Sequence, residues 1–388
     1  MNKIKYLKVV AKPTQNCNFN CEYCYNKKVD KSTDMDIEMI ERIARFAANS
    51  AENIYWVWHG GEPLLMGVDF YKEAKKILDK YGVSYVCVQT NGSLLSDEFI
   101  KFFHESDWSV SISYDGSSQK TKRNNSDIVS KNIDRMYELT GKKTNIVKVV
   151  DGDTVDTISI DYDALKEKGS VGYLTLSKVF NLDDLGDDLK IIEGSSADKY
   201  IKQFADLFDK WINDENPVKI RNFEELFPFL FNGRKYSCEQ SGRCHEDKIG
   251  IYPNGDLYTC VRCFPVEYSY GNINDYDSFQ DMAMNSEIYK EFKGYVLSRE
   301  KYCKEELKCK YSKWCNGGCI ATSICNGTPM TPDFKFCKIL ELEINFIFNY
   351  LMNCDISKIK NPEARKTLEN LGFRNLKFIK ETINNIEK

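Results

Sequence analysis

The sequence predicts an α/β protein: an open or partial barrel of parallel strands, followed by a cysteine-rich segment and closing helices. Three observations carry this. Strand and helix patterns alternate through the first half of the chain. Cysteine is over-used, at 15 of 388 residues, mostly between Cys238 and Cys337. Three further cysteines directly follow the first strand, at the carboxyl end where open parallel sheets bind ligands.

The elements follow in order. Ile4–Ala11 reads as a strand, and Met35–Ala48 as an apolar-periodic helix whose Thr33 and Asp36 resemble a capping box. Ile54–Trp58 is a second strand, and Asp69–Tyr81 a helix closed by Gly82. Ser84–Gln89 is a third strand, and Ser96 caps a helix running to about His104. Trp108–Ser113 is a fourth strand, followed by a helix over Ile128–Leu139 that ends near Gly141. Thr144–Val150 and Val171–Ser177 are strands five and six, with a short helix near Asp163–Lys168 between them. Such a succession implies right-handed crossovers and a parallel sheet. Asp183–Asp188 reads as an acidic loop and Ala197–Trp211 as a connecting helix. Periodicity fades from Cys238 to Cys337, apart from a hairpin in which Ile249–Tyr252 and Leu257–Cys260 flank the Asn254-Gly255 turn signal. Ile339–Met352 and Ala364–Glu387 read as helices. The expected domains are 1–190, 191–237, 238–340 and 341–388.

Lys plus Arg total 54 against 58 Asp plus Glu, a formal charge of −4, so no broadly basic nucleic-acid surface is expected. No apolar run approaches a membrane span, and the N-terminus lacks a signal-peptide pattern, so a cytoplasmic location is expected. Cytosolic thiols stay reduced, which favours metal binding over a disulfide framework. With only His59, His104 and His245 available, the ligands must be nearly all sulfur, as suits zinc or iron–sulfur clusters.

Cys17, Cys21 and Cys24 form a C-x3-C-x2-C triad. Three thiolates on one short loop can wrap a cuboidal cluster and leave one iron open; on spacing alone, a zinc site or unpaired thiols remain the other readings. The triad resembles the signature of radical S-adenosylmethionine enzymes, in which the open iron is chelated by S-adenosylmethionine and the cleaved cofactor abstracts a substrate hydrogen. Trp58-His59-Gly60-Gly61-Glu62-Pro63 resembles that family's GGE motif, which implies close backbone approach at Gly60 and Gly61 and a contact from Glu62 to the methionine amino group. The resemblance also implies Tyr23 near the adenine, Gln89 at the end of strand three, and Ser113 and Asp115 of an S-x-D-G segment near the ribose and methionine. Arg123 stands where relatives carry a carboxylate-pairing arginine slightly farther on, and is otherwise a solvated loop residue. Leu176 packs on the adenine or is ordinary core.

The later cysteines resemble a SPASM domain, giving the expected fold of a partial (β/α)6 TIM-like barrel followed by an iron–sulfur domain and C-terminal helices. The resemblance implies one auxiliary cluster on Cys238, Cys244, Cys260 and Cys319 and a second on Cys309, Cys315 and Cys337, for three 4Fe–4S clusters in all. The family's fourth thiolate for the second cluster falls on Glu306 here; Cys303, three residues earlier, is the expected substitute, with carboxylate ligation or an open iron as alternatives. The other reading of the whole segment is a set of zinc knuckles. Cys263 and Cys325 are spare, and Cys87 and Cys354 are expected to be buried small apolar residues.

The resemblance implies a peptide-modifying enzyme that forms a thioether or carbon–carbon crosslink in a ribosomally made precursor peptide. Expected partners are that peptide and a reductant such as flavodoxin or ferredoxin; since 16 residues precede Cys17, any leader is expected to be read by another surface or by a separate leader-binding protein. Sulfatase-type formylglycine formation is an alternative, against which Val261 counts, because that branch carries an Asp there. Small-molecule dehydrogenation, and a non-enzymatic iron–sulfur or zinc protein, are the remaining readings; the Gly-Gly-Glu-Pro and S-x-D-G segments argue against a mere electron carrier.

Overall fold

The computed structural model describes residues 2–28, 31, 33–179, 192–232, 241–262, 266–312 and 315–371. Cys238, Cys263, the acidic stretch Asp183–Asp188 and the end of the expected last helix lie outside them. Nine strands are defined among the described residues: β1 (Ile4–Ala11), β2 (Ala51–Trp58), β3 (Tyr85–Thr90), β4 (Ser109–Ser113), β5 (Thr144–Val150), β6 (Val171–Lys178), β7 (Lys219–Ile220), β8 (Lys248–Ile251) and β9 (Leu257–Tyr258). The chain forms an α/β fold with a mostly parallel sheet and divides into two compact units. One comprises 1–114, 119–147 and 244–295; the other comprises 115–118, 148–243 and 296–388. The cysteine-rich stretch is therefore divided between the units.

In the first unit β1 pairs in parallel with β2, β2 with β3, β3 with β4, and β4 with β5. On the other side of β1 lies β8, also parallel, with Ala11 opposite Ile251. β9 returns antiparallel to β8, as the Asn-Gly signal predicts. The pairing of β8 with β1 is not legible in the sequence, because hairpin chemistry specifies only the local turn.

Strand alternation sets two faces. Leu7, Val9, Ala11, Ile54, Trp56, Trp58, Val86, Val88, Val110 and Ile112 are buried. The helices over Ile37–Ser50, Gly67–Lys80 and Asp97–Glu105 carry the apolar stripes that accompany them, including Ile40, Ile43, Tyr71 and Phe103. Tyr71 meets Trp58, Phe103 and Trp108 edge to face, with Trp58 and Tyr71 centroids 5.4 Å apart, while Phe103 stacks on Trp108. Truncating a fully buried Trp at such a place costs about 3–5 kcal/mol. The opposite face, with Val57, His59, Cys87, Gln89, Ser111 and Ser113, is only partly covered.

Capping follows the sequence at Ser96, whose hydroxyl accepts the Phe99 N–H. At the first helix, Asp36 alone is the cap, accepting from the Met39 N–H; the expected Thr33 capping box is corrected by that geometry. The helix between β5 and β6 is longer than expected, Ile158–Lys168. Two helices within the aperiodic stretch, Phe279–Asn285 and Glu287–Lys301, also escape the sequence reading.

In the second unit β6 pairs in parallel with β7. Around Phe208, Trp211 and Phe223 the helices Ser195–Ile212, Arg221–Asn232 and Phe334–Asn353 share an aromatic core. The described part of the expected last helix is Pro362–Asn370.

Candidate functional site

Cys17, Cys21 and Cys24 lie on the loop that leaves β1. Gly60 has φ +133°, and a Cβ there or at Gly61 would overlap the Thr14 and Asn16 carbonyl oxygens. Those oxygens instead accept the Gly61 N–H (3.0 Å) and the Glu62 N–H (2.7 Å). The two glycines thus let the end of β2 close on the backbone entering the thiol loop, where the resemblance had implied an approach to the cofactor.

Glu62 is fully buried. Its Oε1 accepts from Thr90 Oγ1 (2.7 Å) and the Leu64 N–H (3.0 Å), and its Oε2 from the Asn91 N–H (2.7 Å). Burial pushes its carboxyl upward, against those hydrogen bonds and the nearby Arg123 charge. Three acceptor positions are thereby filled, which leaves room for one further donor. Asn91 extends the bracket: its Nδ2 donates to Asn18 Oδ1 (2.8 Å) and reaches Cys17 Sγ at 3.9 Å, while Asn18 Nδ2 donates to Ser93 Oγ (2.9 Å). Burial, foremost, pushes the Cys17 thiol up. Asn18 and Ser93 are site residues that sequence reasoning missed, and Thr90 and Asn91 belong to the Gln89-Thr90-Asn91-Gly92 segment of which it singled out only Gln89. The signal was the Thr-Asn-Gly after Gln89, since a short polar run at a parallel strand's end faces the ligand side.

The other end of the loop is tied to the turn after β4. Glu22 N–H donates to Lys122 O (3.0 Å), and Lys122 Nζ meets Glu22 Oε2 at 3.0 Å. Arg123 Nη1 donates to Tyr23 Oη at 2.9 Å. Arg123 is only 9% exposed, so the solvated-loop reading does not describe it. Gln89 Nε2 donates to Ser113 Oγ (2.9 Å), bringing those two expected residues together. Asp115 and Leu176 belong to the second unit. There Asp115 Oδ1 accepts from Val149 N–H (2.9 Å), and the Leu176 backbone is bracketed by Asn222.

Lys12, one residue beyond β1, is fully buried. Its Nζ donates to Gln15 Oε1 and Asn26 Oδ1, each at 3.1 Å, and lies 4.1 Å from the Tyr252 ring centroid and 5.2 Å from that of Tyr25. Desolvation pushes Lys12 down to about 7, while the Cys24 and Cys260 thiols act the other way. His59 accepts the Gly60 N–H at Nδ1 (2.7 Å). It is held neutral, at about 3, by desolvation first and then by Lys12, Arg262 and Lys8. Cys244 is buried in this unit and accepts from Thr259 Oγ1 at 3.7 Å.

In the second unit Cys303 is 4% exposed, whereas Glu306 is exposed. Cys303 lies on a π-helical turn, Tyr302–Glu306, a geometry common at functional sites. Its carbonyl accepts the Cys309 N–H at 2.8 Å. Burial pushes the Cys303 thiol up to about 11, reinforced by Cys315 and Cys309. Burial also raises Cys337, with Cys315, Cys303 and Cys309 adding to the effect. Four thiols therefore share one electrostatic neighbourhood, a donor set that fits an iron–sulfur cluster. Among the described residues no three Cys, His, Asp or Glu side chains converge tightly enough for a single metal ion. That is compatible with thiolates that each meet a different iron.

Cys319 is buried in the second unit, and Cys260 is half-buried in the first. Cys87 and Cys354 are half-buried, a correction to their expected enclosure. No described cysteine forms a disulfide. No helix among the described residues is long and apolar enough to cross a membrane.

Against known proteins, residues 11–165 match the Radical SAM superfamily. A cysteine-type anaerobic sulfatase-maturating enzyme of Clostridium novyi (strain NT) is 29% identical over 359 residues, covering 86% of this chain and 93% of that protein. The structure of anSMEcpe with bound AdoMet and the Kp18Cys peptide superposes with TM-score 0.76 at 23% identity, covering 88% of this chain and 97% of that one. Streptococcus suis SuiB bound to precursor peptide SuiA gives TM-score 0.63 at 18% identity, covering 84% and 75%.

Proposed function

From the premise that the chain carries a radical SAM domain over residues 11–165, we propose a peptide-modifying enzyme that crosslinks residues of a ribosomally made precursor. Cys17, Cys21 and Cys24 would hold a 4Fe–4S cluster with one open iron. Around S-adenosylmethionine, Glu62 would offer its remaining acceptor position to the methionine ammonium, and Tyr23 and Arg123 would supply the aromatic face and cation beside it. When bound, the pair supplies a 5′-deoxyadenosyl radical that abstracts hydrogen from the substrate. Cys303, Cys309, Cys315 and Cys337 would hold an auxiliary cluster of a SPASM-type extension, and the parallel strands would form the partial barrel. Flavodoxin or ferredoxin would supply electrons.

Val261 carries the choice of crosslinking. It is buried and apolar, and its carbonyl accepts the Tyr252 hydroxyl at 3.0 Å. No carboxylate stands at the position where the sulfatase-maturing branch is expected to carry its base. Formylglycine formation is the second reading, favoured by the similarity to the C. novyi sulfatase-maturating enzyme over most of both chains. The deciding experiment uses anaerobically reconstituted enzyme with S-adenosylmethionine, dithionite and two substrates, analysed by mass spectrometry. One substrate is the short precursor encoded beside the gene; the other is a peptide bearing a sulfatase cysteine. Loss of a hydrogen pair with crosslink-resistant fragmentation in the precursor supports the proposal. Conversion of the sulfatase cysteine to formylglycine overturns it.

A further inference from the structure

The four thiols Cys303, Cys309, Cys315 and Cys337 stand on three segments, and Arg299 joins all three. It lies near the end of the helix Glu287–Lys301 and is 1% exposed. A guanidinium so buried must spend its N–H groups on acceptors, because losing water uncompensated is costly. Its Nη2 donates to the carbonyl oxygens of Gly317 and Gly318, the latter at 2.9 Å. Those glycines lie between Cys315 and Cys319 at φ +89° and +82°, a left-handed run that side chains adopt only under strain. Turned this way, the loop offers two successive carbonyls to one cation.

Gly317 carries the remaining connections. Its oxygen also accepts the Asp333 N–H at 3.2 Å, and Asp333 caps the helix Phe334–Asn353 that bears Cys337. A Cβ added at Gly317 would lie 3.2 Å from Cys303 Sγ, 3.2 Å from Pro332 Cβ and 3.5 Å from Arg299 Nη2. The thiol and the guanidinium therefore both close on the bare face of this glycine. Arg299 and Cys303 are four residues apart, the spacing that brings side chains together on a helical surface. The Leu307 N–H donates to Tyr302 O at 2.9 Å, closing the π-helical turn that holds Cys303, whose own carbonyl accepts the Cys309 N–H. Cys303 thus has its place only because the backbone facing it carries no side chain.

We propose that Arg299 and Gly317 are the positioning residues that seat Cys303 as the fourth thiol of the second-unit site, in place of the thiolate missing at Glu306. The inference rests on the auxiliary-cluster reading above. Neither residue supplies a ligand: Arg299 acts by holding the Gly317–Gly318 backbone, and Gly317 by having no Cβ.

The test uses the full chain with Cys17, Cys21 and Cys24 replaced by Ala, reconstituted anaerobically, so that all bound iron belongs to the later cysteines. Iron per chain and the paramagnetic resonance spectrum of the dithionite-reduced protein are read beside iodoacetamide labelling of the metal-free chain, mapped by mass spectrometry. Gly317→Ala should lose one cluster's iron and raise Cys303 labelling roughly tenfold, because the new methyl takes the thiol's space and opens the turn. Gly327→Ala, also at positive φ (+68°) but with nothing within 4 Å, should match the parent in both readouts. Arg299→Met should behave as Gly317→Ala does. Arg299→Lys, which keeps the charge and loses the planar fork, should fall between parent and Met. Parent-level iron and labelling in Gly317→Ala and Arg299→Met overturn the proposal. Should either fail to fold, Arg299→Lys decides, and parent values there overturn it. A parent chain that binds no iron removes the auxiliary-cluster reading and this inference together, whereas unaffected variants remove the inference alone.

Discussion

The Cys17–Cys24 loop and the Cys303–Cys337 thiols present cysteines in different ways. The first is an irregular loop shaped by its surroundings: Gly60 and Gly61 close on its entry, Asn91 and Asn18 brace Cys17, and Lys122 and Arg123 hold Glu22 and Tyr23. Its three thiols come from a short stretch and, on the proposed reading, would leave one coordination position for a ligand from outside. The second set is drawn from a π-helical turn at Cys303, the loop carrying Cys309 and Cys315, and the first turns of the helix Phe334–Asn353 at Cys337. It offers four thiols, two of them raised chiefly by burial. The first set is held by polar braces, whereas the second joins two buried cysteines, Cys303 and Cys315, to two half-buried ones, Cys309 and Cys337.

The sharpest way to break this comparison is to remove the open set. Replacing Cys17, Cys21 and Cys24 together by Ala should abolish 5′-deoxyadenosine formation while leaving the iron of the second unit in place. Product chromatography and iron analysis check both halves, and residual cofactor cleavage would refute the assignment.

Next in size is the closed set. Cys303→Ala should lose one cluster's iron, whereas Glu306→Gln should stay near wild type, because Cys303 is interior and Glu306 faces solvent. Iron content with Mössbauer or paramagnetic resonance spectra decides it. The reverse pattern would make the carboxylate the ligand; no effect from either would mean an open iron there too, and the contrast between the sites would disappear.

The smallest effect sharpens the role of the braces. Glu62→Gln puts an amide among three donors and loses at least one charge-assisted hydrogen bond, at about 1.5–3 kcal/mol. Thermal denaturation should show a Tm drop of about 2–4 °C per kcal/mol, and calorimetry should show weaker S-adenosylmethionine binding with the cluster retained. A lowered Tm with unchanged affinity would make Glu62 purely a bracket for Thr90 and Asn91.

Much of the architecture is local and was legible. β1 and β5 match their expected spans because apolar alternation specifies them. Gly82 and Gly141 end their helices at positive φ, as their backbone freedom suggests. The thiol triad needed only its spacing to be noticed. The helices Phe279–Asn285 and Glu287–Lys301 were not legible, because cysteine and turn residues around them mask their periodicity.

What the sequence determined by itself was an α/β chain with a mostly parallel sheet and the residue types that can hold clusters. Those follow from periodicity and spacing, which are properties of neighbours along the chain. Only the tertiary structure decided that β8 joins β1, that Lys12 is enclosed between Tyr25 and Tyr252, that Glu62 is spent largely on Thr90, Leu64 and Asn91, and that Cys303 rather than Glu306 is the interior side chain. Each depends on partners far apart in the chain, and on which groups lose their water when those partners meet. Desolvation has no signature in a single stretch of sequence.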